Sequence, residues 1–183
     1  MLKELSRATL IIGAVNGQAT IAAAGKVFVA IHSLYKKWRL DRVSEPTPDT
    51  PVEEIRLEGE ASFAEIFAPY IKDEADELCL TQAQIRKLCE ENRSSFGVTT
   101  FFLFKKGNLL KRFLHWLMKN VFRYEIRKRI FVAVMRPCNM PDGIGIRAEV
   151  EHFESAKKEG HCYPYRIVLP LNRPTQLNRS VAI

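Results

Sequence analysis

An uncharged stretch of 18 residues near the N-terminus, Ala8 to Gly25, is the feature that most restricts the fold of this chain. A run of this length and apolarity is long enough to enter a bilayer or to pack against other subunits. The chain has 183 residues, and its 46% hydrophobic and 27% charged residues are typical of a folded protein. We therefore expect one ordinary domain with appendages, and we predict that residues 1–42 form a separate N-terminal hydrophobic helix.

Three interpretations of this N-terminal segment compete. A transmembrane helix needs about 20 mainly apolar residues, and Gly13 and Gly17 would give it one flat face for helix packing. A cleaved secretory signal would use Lys3 and Arg7 as its basic start and the alanines at 22–24 as its cleavage site. A soluble helix buried between partner subunits would also suit the many small residues. We expect the first, with Gly13 and Gly17 as the helix-packing residues.

The charges that flank this segment predict its orientation. Basic residues stay on the cytoplasmic side of a membrane, and the segment is followed by Lys36, Lys37, Arg39 and Arg42. The four cysteines form no CxxC pair and are expected to be free thiols in a reducing compartment. The expected location is therefore membrane-associated, with the main domain in the cytoplasm.

The middle of the chain is acidic, although the formal net charge of the whole is +7. Residues 43–52 contain three prolines and are predicted to form a Pro-rich linker. Residues 53–79 are predicted to be an acidic connecting segment, in which Ser62 and Glu65 have the spacing of a helix capping box. This segment either docks on a basic partner or forms a solvated face of the main domain, and we favour the second interpretation.

Residues 80–171 are predicted to form the main domain. Thr81 and Gln84 have the spacing of a second capping box, so a helix is expected from Gln82 to about Ser95. The segments rich in β-branched and aromatic residues are predicted strands: 98–104, 130–135, 144–153 and 163–169. Short connections favour an α+β fold with a small, mainly antiparallel four-stranded sheet and covering helices. Residues 172–183 follow as a C-terminal arm.

A basic amphipathic helix is predicted at 108–129, inserted between the first two of these strands. It either covers one face of the sheet, lies on an anionic membrane surface, or binds the phosphates of RNA or DNA. No RNP-like strand, zinc finger or glycine-rich loop accompanies it, so the sequence does not specify the polyanion. The predicted membrane-surface or polyanion-binding residues are Lys105, Lys106, Lys111, Arg112, Trp116, Lys119, Arg123, Arg127, Lys128 and Arg129.

The sequence contains no serine-hydrolase, P-loop or zinc-protease motif. The side chains of Cys138, His152, His161 and Cys162 suit zinc, but their spacing matches no known zinc module. A nucleophile built from Cys162 and His152 has nothing to fix its geometry. We therefore expect no metal, no cofactor, no small-molecule substrate and no enzymatic activity.

Together these patterns predict a non-enzymatic, membrane-associated or assembly-embedded interaction protein. Its N-terminal helix would anchor it, and its cytosolic α+β domain would contact protein subunits of a homo- or hetero-oligomer. The alternative is a nucleic-acid-associated basic subunit that grips phosphates through residues 105–129, by release of condensed counterions.

Overall fold

The computed structural model describes residues 2–21, 27–38, 40, 44–71, 75–92, 97–105, 130–141, 143–155, 158–159 and 164–171. Strands dominate these residues, and the helices are short. The strands are β1 (Lys3–Ile12), β2 (Phe28–Ile31), β3 (Thr50–Glu58), β4 (Ala61–Ser62), β5 (Cys79–Leu80), β6 (Thr100–Lys105), β7 (Ile130–Met140), β8 (Gly143–His152), β9 (Lys158–Glu159) and β10 (Tyr165–Pro170). The helices are α1 (Leu34–Lys37), α2 (Phe63–Phe67) and α3 (Gln82–Glu91), with 3-10 turns at Ala68–Tyr70 and Ala75–Leu78.

In the described residues, eight of the strands form one mixed sheet. Its order is β1-β3-β10-β6-β7-β8-β2, and β5 pairs with β6 beside the end of β10. Neighbours pair antiparallel except for β10 with β6, β5 with β6, and β2 with β8, which are parallel. The short strands β4 and β9 pair with each other. The sheet therefore has β1 at one edge and β2 at the other.

The central strands are apolar on both faces. In β6, Phe101 and Leu103 point to one face, which α2 covers, and Phe102 and Phe104 point to the other, which α3 covers. We call these the α2 face and the α3 face. Because full burial of an apolar side chain is worth about 1.5–3 kcal/mol, such a sheet is stable only when both faces are covered.

The predicted N-terminal hydrophobic helix is wrong. Its first apolar residues belong to β1, and residues such as Ile12, Ile21 and Leu40 are fully buried in the core on the α3 face. No helix in the described part of the chain has the length and hydropathy needed to cross a bilayer, so the transmembrane interpretation is wrong as well. The buried residues of this segment fill the space between the sheet and α3, which is why they are apolar.

Gln82, the first residue of α3, binds this N-terminal segment through two side-chain hydrogen bonds. Its buried side chain accepts the N–H of Ile21 at 3.2 Å through Oε1 and donates to the carbonyl of Leu40 through Nε2. An amide buried without partners would cost about 1–3 kcal/mol. Both ends of this amide are used, so it holds two distant parts of the covering segment against α3.

Both predicted capping boxes are confirmed. Thr81 accepts the N–H of Gln84 at 3.2 Å, and the Gln84 side chain accepts the N–H of Thr81 at 2.8 Å. Ser62 and Glu65 make the same reciprocal pair at the start of α2. Each pair satisfies donors that the first helical turn leaves unbonded, which is why both helices begin where the spacing predicts.

The predicted fold class is also wrong. The four predicted strands are confirmed as β6, β7, β8 and β10, but they lie within a large, mainly β structure with a mixed sheet, and not in a small α+β domain. Of the additional strands, β1 and β2 come from the segment predicted as a helix, β3, β4 and the start of β5 come from the predicted linker and acidic segment, and β9 lies within the predicted main domain. β3 begins at Thr50, inside the predicted linker, and pairs with both β1 and β10. Pairing between such distant segments leaves no short-range pattern in the sequence.

Replacing Gly17 with alanine should destabilise the protein by about 2 kcal/mol or more. Gly17 has φ +79°, and a Cβ atom there would overlap the carbonyl of Ser44. Left-handed backbone alone costs an alanine about 1–2 kcal/mol. Urea denaturation measures the effect. Gly97→Ala is the matched control, because its added Cβ meets open space and should change stability by less than about 1 kcal/mol. Equal effects at the two positions would contradict this account of Gly17.

Candidate functional site: the edge strand β1

β1 is a ten-residue strand that the rest of the described structure hardly covers. Its first seven residues, from Lys3 to Thr9, are all exposed, although alternate residues of a strand point to opposite faces. Leu5 is 41% exposed and Ile11 is 68% exposed. An edge strand of a monomer normally packs one face on the core. Here, within the described structure, both faces are exposed from Lys3 to Thr9, and β1 contacts the core through its last residues, where Ile12 is fully buried.

The backbone of β3 alternates between its two neighbours. Leu171 donates its N–H to the carbonyl of Pro51 at 2.8 Å, so the backbone groups of Pro51 face β10. The N–H and C=O groups of successive strand residues point to opposite sides. The backbone N–H and C=O groups of Val52 and Glu54 therefore face β1.

This alternation identifies the unpaired groups of β1. Ala8 and Leu10 lie opposite Glu54 and Val52, and so they make the hydrogen bonds to β3. Arg7, Thr9 and Ile11 turn their N–H and C=O groups outward, where the described residues place no other strand. Such a row of donors and acceptors is the feature to which an extended segment adds in β-augmentation.

Two ion pairs position the Arg7 side chain, one within β1 and one to β3. The Arg7 guanidinium lies 2.8 Å from Glu4 and 3.1 Å from Glu53 on β3. The hydrogen bond from Arg7 lowers the pKa of Glu4 below its usual value. Exposed pairs of this kind contribute about 0–1 kcal/mol each, so they fix the position of Arg7 more than they stabilise the fold.

The opposite edge of the sheet, β2, is less suited to binding an added strand. β2 has four residues and pairs parallel with β8, with a register irregularity between Phe28 and Ala30. Val29 is 41% exposed, but a strand this short presents few backbone groups to a partner. Of the two edges described, β1 is the better docking edge.

The two glycines predicted to pack helices do not lie on a helix. Gly13 follows β1, and a Cβ there would meet the flexible Lys87 ammonium at 2.8 Å. Gly17 forms a turn in which its carbonyl accepts the N–H of Ser44 at 2.9 Å. The structure uses Gly17 for its left-handed backbone, a role that helical spacing does not reveal.

Of the ten predicted polyanion-binding residues, the described chain includes Lys105 alone. Lys106, Lys111, Arg112, Trp116, Lys119, Arg123, Arg127, Lys128 and Arg129 lie outside the described residues, and their predicted role stays a prediction. Lys105 ends β6 and pairs with Asp76. It lines a cavity of about 180 Å³ together with Cys79, Thr81 and Gln82.

The chemistry of this cavity does not favour covalent catalysis. Burial raises the pKa of the Cys79 thiol to about 12, although Lys105 acts in the opposite direction. The thiol donates to the carbonyl of Ala75 at 3.6 Å. A thiol with a raised pKa is a poor nucleophile at neutral pH. Cys79 is therefore a structural residue in this arrangement.

The candidate zinc donors that can be placed do not come together. Cys138 lies opposite Gly145 and His152 opposite Phe131, at distant points along the same β7–β8 ladder. The His152 ring packs against Trp38, with ring centres 4.3 Å apart and the ring planes tilted by 43°. His161 and Cys162 lie outside the described residues. In the described parts of the chain, no group of three or more potential ligands could hold a metal ion.

A second cavity, of about 350 Å³, lies between residues 14–19 and α3. Its charged side chains bond within the protein: Arg86 pairs with Glu90 at 2.8 Å, and Lys87 donates to the carbonyl of Ala14 at 3.1 Å. Groups that are already paired offer little to a ligand. This cavity is a weaker candidate than the β1 edge.

Comparison with known proteins adds no assignment: no family model, no curated protein and no solved structure matches this chain. Sequence patterns do not reveal the β1 edge, because the uncharged half of β1 is part of the apolar run that predicts a helix. The signal available was the β-branched content of Thr9, Ile11 and Ile12, which favours a strand over a helix.

Proline substitutions should show which backbone N–H groups of β1 bond β3 and which face outward. Ala8→Pro removes an N–H that bonds β3 and should lower the free energy of unfolding by about 2 kcal/mol or more. Thr9→Pro removes an outward N–H, which an edge strand tolerates, and should cost less than about 1 kcal/mol. Urea denaturation of both variants checks this. A larger loss for Thr9→Pro than for Ala8→Pro would reverse our assignment of the outward groups.

Alkylation should distinguish structural from reactive thiols. At pH 8, iodoacetamide should modify half-exposed Cys138 at least about tenfold faster than Cys79 and Cys89, because burial raises the pKa of both latter thiols. Mass spectrometry of quenched samples gives the rates, and the urea-unfolded chain, in which the differences should vanish, is the control. Fastest modification of Cys79 would make the Lys105 cavity a candidate active site.

Proposed function

We propose that this protein is a non-enzymatic subunit of a larger protein assembly, and that it joins that assembly by strand addition at β1. The observation that carries the proposal is the outward row of backbone groups on Arg7, Thr9 and Ile11. An added strand would bond these groups, and its side chains would cover Ile11.

The exposure of β1 supports this proposal. Natural proteins shorten, bend or cover long edge strands, since an open edge invites association. β1 has ten residues, and its second half, Ala8 to Ile12, carries no charge. A strand with these properties is stable against misassembly when a specific partner occupies it.

The alternative proposal, phosphate binding through residues 105–129, has less support. Lys105 is the described member of that set, and its ammonium already pairs with Asp76. Binding to RNA that weakens steeply with salt would favour the alternative, because each phosphate contact releases counterions.

The test is the size of the complex that the protein forms in extracts of its source cells. The tagged wild-type chain should sediment well above its own mass of 21.0 kDa. Thr9→Pro should shift it towards that mass, because the variant loses an outward N–H and places a ring at the docking edge. Thr9→Ala retains the N–H and is the matched control, expected to sediment as wild type.

Two results would overturn the proposal. One is a wild-type chain that sediments as a free monomer in the extract. The other is a complex that Thr9→Pro leaves intact, because the assembly would then use a different surface.

A further inference from the structure

We propose that the occupant of the β1 edge is a second copy of this chain, paired antiparallel about a two-fold axis that passes midway between the two Thr9 residues. This inference rests on the proposed function, in which β1 is the docking edge. It names the partner and the register.

The outward groups fix which registers are possible. In an antiparallel pair, outward residues of one strand lie opposite outward residues of the other and exchange two hydrogen bonds. Centred on Thr9, the pairing places Arg7 opposite Ile11 of the second copy, and Ala8 opposite Leu10. It engages Ser6 to Ile12 of both copies, which is most of β1.

Charge repulsion and ladder length favour this register over those centred on neighbouring residues. Centring the pair on Arg7 would place two guanidinium groups opposite each other, and centring it on Ala8 would leave them on adjacent diagonal positions, both unfavourable. Centring it on Leu10 shortens the ladder to the residues from Ala8 to Ile12. The Thr9 register keeps the two arginines apart and pairs threonine with threonine, a favourable cross-strand pair.

The apolar contact involves the most exposed large hydrophobic residue described. Ile11 is 68% exposed, and on the α2 face it would lie against the aliphatic part of Arg7 in the second copy. Glu4 and Glu53 already hold the Arg7 guanidinium, so its methylene groups are in place before pairing. A two-fold pair closes on itself and occupies both copies of the edge, which leaves no open end for a fibre at β1.

The test uses the purified full-length chain in sedimentation equilibrium. The wild type and Thr9→Ala should form a dimer of twice the 21.0 kDa chain mass. Thr9→Pro should raise the dimer Kd by about 100-fold or more, since both copies lose the central N–H and gain a ring that faces the partner. The urea denaturation of Thr9→Pro verifies that this variant is folded.

Cysteine cross-linking tests the register independently. In the Thr9 register the two Thr9 Cα atoms are about 5.5 Å apart, within the range of a disulfide. The two Ile11 Cα atoms are about 14 Å apart, which is too far. Mild oxidation should therefore link Thr9→Cys into a covalent dimer and leave Ile11→Cys unlinked, with the wild type as the blank for the native cysteines.

The outcomes separate this inference from the proposed function. A purified chain that stays monomeric up to near-millimolar concentration overturns the second-copy inference, while a complex in the extract that Thr9→Pro disrupts still supports docking at β1. A purified dimer that Thr9→Pro does not weaken overturns both. Preferential linking of Ile11→Cys overturns the register.

Discussion

The position of the last strand, β10, between β3 and β6 is the constraint on which the rest of the sheet depends. Through β10, the β1–β3 pair joins the strands from β6 to β2. Arg166 on β10 is 5% exposed, and it donates to Thr100 on β6 at 3.0 Å and pairs with Glu54 on β3 at 2.7 Å. Removing a charge from water is costly unless such partners compensate it. One side chain thus ties three adjacent strands and fixes where the β1 edge lies.

Because β10 completes a sheet that is apolar on both sides, the covering segments on both sides are determined as well. The uncharged N-terminal segment is used on the α3 face, where Ile21 and Leu40 are buried and Gln82 bonds the backbone of both. The acidic middle contributes Phe63 and Phe67 to the α2 face. Ile21 and Leu40 are therefore apolar because they are buried within the chain itself, and the acidic residues lie on a segment that also supplies core aromatics.

The parts of the fold that were predictable are those with a local cause. The capping boxes at Ser62 and Thr81 place donors and acceptors three residues apart, and β6 is a run of aromatic and β-branched residues. β3 has no such local signal, because glutamates interrupt its apolar residues and Pro51 lies near its start. Pro51 is tolerated because its carbonyl, which it retains, makes the bond to Leu171. That compatibility depends on a strand more than a hundred residues away, so no reading of the local sequence reveals it.

For the same reason, the candidate site could not be predicted from the sequence. Which residues of β1 face outward depends on the alternation of β3, and this alternation is set by the contact of β3 with β10. A short-range pattern identifies Thr9 and Ile11 as β-branched, but only the assembled sheet distinguishes their outward backbone groups from those of Ala8 and Leu10.

The features that protect an edge strand from unspecific pairing, charged residues and bulges, are unevenly distributed along β1. Its first half carries Lys3, Glu4 and Arg7, and the register with β3 shifts between Glu4 and Ser6, an irregularity of the kind that twists an edge away from neighbours. Its second half has neither charge nor irregularity, yet it contains the outward groups of Thr9 and Ile11. In the proposed pair, the charges and the irregularity would disfavour unspecific strands along the first residues of β1, whereas the stretch from Ser6 to Ile12 would accept a strand of matching length. An edge that is protected over part of its length could in this way be exposed and still bind selectively.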